Sequence, residues 1–72
     1  MISEIGVMAR DILDLIEEKR RPLSINEIAQ ELKISESVVK MSLGWLVQKG
    51  YVETQWNESE IYVSQIPHLA SV

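Results

Sequence analysis

Three side chains between Ser35 and Lys49 could do chemistry at one surface: Ser37, Lys40 and Gln48. A glutamine offers a donor and an acceptor side by side, a lysine a charged donor, and a serine a hydroxyl that acts as either. Set on one helix face, such groups can hydrogen-bond to base edges in the major groove of DNA. At ~100° per residue they fall on the side opposite Val39, Leu43 and Leu46, so an apolar side and a polar side are both specified. The chemistry on offer is recognition. Catalysis would need a different set, and no Ser–His or Cys–His pairing and no glycine-rich phosphate loop is present. The chain has no cysteine, and its one histidine, His68, stands four residues from the C-terminus. Disulfides and thiolate metal sites are therefore excluded, and no metal, no cofactor and no catalytic residue is expected.

The same segment also carries apolar residues on or beside its polar side. Met41, Gly44 and Trp45 form a neighbouring set, with Gly44 removing bulk beside the indole as if another surface came close. Three readings of Trp45 stand side by side. The ring folds onto the following hairpin and completes a small core, it meets a protein partner or a second copy, or it stacks on a base. Trp and Met are enriched at the centres of protein interfaces. Trp56, near the hairpin tip, reads as a second covering residue, with an interface role as the alternative.

These side chains need elements to position them. Ile2, Ile5, Ala9, Ile12, Leu13 and Ile16 recur at three- and four-residue spacing and predict an amphipathic helix from Ile2 to Arg21, with Ser3 as N-cap and Pro22 as its stop. Met8 and Leu15 widen that stripe. They either seal the hairpin or the chain end, or form a dimer seam. Lys19, Arg20 and Arg21 suit the negative end of the helix dipole, and the alternative for them is a phosphate anchor away from the main face. Ser24-Ile25-Asn26-Glu27 reads as a capping box, with the Ser24 hydroxyl on the Glu27 amide and the Glu27 carboxylate reaching back. Ile25, Ile28, Ala29 and Leu32 define the buried side of this second helix. After Lys33-Ile34, Ser35 caps a third helix whose buried side is Val38, Val39, Leu43, Leu46 and Val47, with Gly50 as its C-cap. The period then changes from 3.6 to 2. Strands are predicted over residues 51–56 and 61–64, joined by the polar turn Asn57-Glu58-Ser59-Glu60. The expected architecture is mainly α with a small β-hairpin: one winged helix-turn-helix domain over residues 1–66 and a flexible tail over 67–72.

The stretch Leu32-Lys33-Ile34-Ser35-Glu36-Ser37-Val38-Val39 resembles the turn and recognition-helix start of bacterial and archaeal winged-helix transcriptional regulators. Leu46-Val47-Gln48-Lys49-Gly50-Tyr51-Val52 is similar to their junction into the wing. Ser42-Leu43-Gly44-Trp45-Leu46, in so short a chain, looks like a family of small stand-alone winged-helix proteins, which implies the fold and little about activity. The broader resemblance implies a non-enzymatic, regulator-like module that binds double-stranded DNA through the third helix. One departure is Lys33, since the turn of this motif often carries glycine. A non-glycine residue in the left-handed conformation costs ~1–2 kcal/mol.

Charge pulls against that implication. The chain has 7 Lys and Arg against 11 Asp and Glu, a net charge of −4. Phosphate neutralisation supplies most non-specific DNA affinity, and the third helix has no arginine. Beyond Lys49 there is no Lys or Arg, whereas Glu53, Glu58 and Glu60 all lie in the hairpin. DNA binding is therefore expected to be weak, or to need a homodimer presenting two copies of Ser37, Lys40 and Gln48. The rival expectation is a protein-interaction module that keeps the fold and has lost the basic surface. No apolar run is long enough for a membrane span, no signal peptide is evident, and a cytoplasmic protein without a small-molecule ligand is expected.

Overall fold

The computed structural model describes residues 4–66, in the order α1 (Glu4–Lys19), β1 (Leu23–Ser24), α2 (Ile25–Leu32), α3 (Glu36–Lys49), β2 (Val52–Asn57) and β3 (Glu60–Gln65). The expectations for Ile2, Ser3, Pro67, His68 and the tail 67–72 lie outside the described residues. Three helices followed by an antiparallel hairpin are the winged-helix arrangement expected from the sequence.

Local chemistry accounts for the helix ends. The Ser24 hydroxyl accepts from the Glu27 amide at 3.0 Å, and the Ser35 hydroxyl accepts from the Val38 amide at 3.2 Å, so both N-terminal caps form. Gly50, at φ 83°, ends α3, and the following Tyr51 amide donates to the Leu46 carbonyl at 3.0 Å. This pairing satisfies carbonyls that a helix end otherwise leaves open. Lys33 ends α2 at φ 58°, ψ 46°, so the turn does use the left-handed conformation that its lysine makes costly. Arg20 takes the same conformation at φ 58° and ends α1 before Arg21, where the periodicity had carried the helix further.

Two residues of strand were not expected. Leu23 and Ser24 pair with Val63 and Tyr62 of β3, making a three-stranded sheet of order β1-β3-β2. A two-residue strand has too little length to show a period of its own. It exists because β3 offers an edge just after Arg20 has turned the chain out of the helix.

The core gathers Ala9, Ile12 and Ile16 from α1, Ile28 and Ala29 from α2, Val39, Leu43 and Leu46 from α3, and Val52 and Val63 from the sheet. Leu15 belongs to it as well, at 8 % exposure. Its part in a dimer seam is therefore corrected: the side chain is already covered within one copy, while Met8 is half-buried and Val7 exposed. Val47 is the opposite correction. It was expected inside and is 44 % exposed, because it lies ~100° around the helix from Leu46, past the edge of the buried side. Ser42 takes an interior place instead. It is fully buried, and its hydroxyl has no hydrogen-bond partner.

Candidate nucleic-acid interface

α3 is fixed from behind by Val39, Leu43 and Leu46, each nearly or fully buried, which leaves its other side to solvent. Ser37, Lys40, Met41, Gly44, Trp45 and Gln48 are all exposed there. The structure therefore brings the three hydrogen-bonding candidates and the apolar set onto one continuous helix face. Gly44 is not a packing necessity within the chain. A methyl group added to it would meet no atom within 4 Å beyond its own stretch of helix.

Lys40 looks across to the hairpin. A groove between the helices and the wing is lined by Asn26, Glu36, Lys40, Trp56, Glu60 and Ile61, among others. Asn26 anchors one wall: its amide donates to the Glu36 carboxylate at 3.1 Å and its carbonyl oxygen accepts from Gln30 at 3.0 Å. Glu36, the one acid on α3, is thereby drawn toward α2. Asn26 was not a candidate from sequence, since nothing in its spacing links it to a residue ten positions on.

At the other end of α3 the Trp45 and Tyr51 rings lie 6.3 Å apart at 34°. Lys49 places its ammonium 5.6 Å from the Trp45 ring centre, within cation–π range. Trp45 thus leans on the residue that leads into the wing, yet remains 39 % exposed. Lys49 was missed as a site residue, although its i, i+4 spacing from Trp45 was the available signal. It sits at the C-terminal end of α3, ~180° around the helix from Lys40.

Trp56 is a correction. A covering residue should be buried, and this indole is 72 % exposed. The register explains it. Trp56 pairs across the hairpin with Ile61, and Asn57 with Glu60, so only Glu58-Ser59 form the turn and the strands run on past the core. Of β2 only Val52 is buried. The indole consequently stands on the wing with solvent around it, close to Glu60 and Lys40 in the groove. Glu53, Glu58 and Glu60 are exposed on the same hairpin, and it carries no cation.

Residues 9–54 match the model of a family described as bacterial regulatory protein, arsR family. No protein of curated function matches the chain in sequence. Among solved structures, the chain is similar to one reported under DNA recognition and protein interaction domains of HOP2, at TM-score 0.76 and 19 % identity, covering 82 % of this chain and 98 % of that one. It is also similar to HlyU from Vibrio cholerae N16961. The reduced form gives TM-score 0.71 and 21 % identity over 93 % of this chain and 65 % of HlyU. A second HlyU structure gives 0.70 and 21 % over 93 % and 67 %. This chain thus spans about two thirds of the length of HlyU, and these likenesses are likenesses of fold.

Proposed function

The chain belongs to the arsR family of bacterial regulatory proteins, and we propose that it binds double-stranded DNA by laying α3 in the major groove. The observation that carries this reading is the shared exposure of Ser37, Lys40 and Gln48 on the face of α3 turned away from the core. Gln48 supplies the paired donor and acceptor suited to adenine, Lys40 a charged donor for phosphate or base, and Ser37 a short hydroxyl near the helix start. A structure named for DNA recognition and protein interaction is among those sharing the fold.

Electrostatics sets the character of the binding. α3 carries two lysines against one glutamate, and Lys40 is the cation on the face of Ser37 and Gln48. The wing brings only glutamates, and at a Debye length of about 8 Å they repel any phosphate they approach. Contact therefore rests on α3, with few phosphates neutralised, modest affinity and a shallow salt slope. Two copies would double the contact area, and on α1 the exposed Val7 and the half-buried Met8 are apolar residues available for such pairing.

Fluorescence anisotropy with a mixed-sequence 24-base-pair duplex at low salt tests this reading. Binding in the range ~1–100 µM, weakened at least tenfold by Lys40→Glu, is the expected result. No binding at ~100 µM, or an affinity indifferent to Lys40→Glu, overturns it.

The exposed Trp56 beside an acidic wing favours a second reading, a module that docks another protein. It predicts the reverse pattern: no duplex binding, and co-purification of a partner that Trp56→Ala abolishes.

A further inference from the structure

Gly44 stands in the middle of α3, with eight residues of the helix before it and five after. Alanine is the better helix former at such a position, and glycine is disfavoured because its backbone loses more freedom on folding. Two ordinary reasons would justify the glycine, and neither applies. Its backbone does not need a positive φ, since among the described glycines only Gly50 has one. Nor is a neighbour in the way, since a methyl group there would meet open space. The missing side chain leaves a notch in the exposed face, and the residues around it at helical spacing are Ser37, Lys40, Met41 and Gln48.

The chemistry of the rim says what fits. Lys40, one turn before Gly44, gives this face a cation in a chain of net charge −4, and none of the residues around the notch is an acid, which complements a polyanion. Lys40 lies to the wing side, in the groove with Trp56 and Glu60, so the groups next to the notch are the Met41 thioether chain and the Gln48 amide. In the major groove an apolar surface meets the C5-methyl of thymine, and glutamine pairs with N6 and N7 of adenine. We infer that the Gly44 notch seats a thymine methyl against Met41 while Gln48 reads a neighbouring adenine, so that α3 selects an A·T step at its centre. The inference rests on the DNA reading above and adds the base it reads and the residue that sets the choice.

A pair of methyl groups, one on the protein and one on the DNA, tests it. Three 24-base-pair duplexes serve as probes in anisotropy titrations: alternating A·T, the same duplex with uracil for every thymine, and alternating G·C. The wild-type chain is expected to bind the thymine duplex about fourfold better than the uracil duplex, the ratio for burying one methyl group. Gly44→Ala fills the notch with its own methyl. It should weaken binding to the thymine duplex about tenfold or more and erase the preference for thymine over uracil. Gln48→Ala should reduce the preference for A·T over G·C while leaving the thymine-to-uracil ratio in place. Gly44→Ala is expected to fold at least as well as the wild type, and a thermal melt confirms that its lost affinity is not lost structure.

The inference is overturned if duplex is bound but Gly44→Ala and the wild type show the same thymine-to-uracil ratio. That result leaves the DNA reading standing. It is also overturned if Gly44→Ala alters the mass in solution by light scattering and not DNA affinity, which would assign the notch to contact between copies. Failure of all three duplexes to bind removes the DNA reading and the inference together.

Discussion

Arg21 grips Glu27 through both carboxylate oxygens, Nη1 donating to Oε1 at 3.2 Å and Nη2 to Oε2. The same guanidinium donates to the Pro22 carbonyl at 3.2 Å. The pair therefore clips the end of the α1–β1 connection to the first turn of α2. Arg21 is thereby the main partner of the Glu27 carboxylate, and the Ser24 backbone, the partner expected of a capping box, is a lesser one. The Ser24 hydroxyl in turn accepts from the Glu27 amide at 3.0 Å.

This pair gives the protein an acid-side pH dependence. The hydrogen bond from Arg21 holds the Glu27 carboxyl below its ordinary value, with the charge of Arg21 adding to the effect and partial burial opposing it. A lowered carboxyl stabilises the fold above the unfolded value, near ~4.3, and the contribution disappears as pH falls through the folded one. The side chains are 52 % and 35 % exposed, so the contribution is small. Urea midpoints of the wild type and Glu27→Gln should differ slightly at pH 7 and converge by about pH 3. A gap that stays constant over that range would show that the pair does not titrate this way.

Ser42 offers a gain in stability. Its hydroxyl is fully buried without a partner, and such a group costs about 1–3 kcal/mol in lost hydration. Ser42→Ala removes the hydroxyl and improves helix propensity. Its unfolding free energy should rise by ~1 kcal/mol. A lower urea midpoint would mean that the hydroxyl finds an acceptor in solution.

Glycine and its absence should act with opposite signs at the two left-handed helix ends. Gly50→Ala forces a Cβ into φ 83° and should cost ~1–2 kcal/mol. Lys33→Gly relieves the same strain at φ 58°, and should add up to ~1 kcal/mol after the entropy of glycine is subtracted. Thermal melts of the two variants suffice, and equal signs would contradict the geometry.

Leu15 and Met8 separate core from seam. Leu15→Ala opens a cavity in the core and should cost ~2–5 kcal/mol. Met8→Ala removes a half-buried side chain and should cost less. If α1 pairs two copies, Met8→Ala shifts the mass measured by light scattering toward the monomer at a concentration where folding is intact. A Leu15→Ala chain as stable as the wild type would show that Leu15 is not core.

The sequence by itself determined the three helices, the serine caps of α2 and α3, the Gly50 stop and the hairpin, because each follows from local rules: period, cap chemistry and backbone conformation. It also determined that Ser37, Lys40, Met41, Gly44, Trp45 and Gln48 of α3 face away from the core, since Val39, Leu43 and Leu46 fix the helix rotation once they are buried. Tertiary structure decided what local rules do not contain. β1 exists because β3 presents an edge to Leu23 and Ser24. Leu15 is inside and Val47 outside because the width of each buried side depends on how the helices pack. Trp56 stands clear of the core because the register of β2 on β3 carries the wing beyond it. The same packing gathers Asn26, Glu36, Lys40 and Trp56 around one groove from three separate elements. So Ser37, Lys40 and Gln48 were legible as one helix face from their spacing, whereas the groove beside them and the open space at Gly44 depend on distances between elements, which spacing along a chain does not encode.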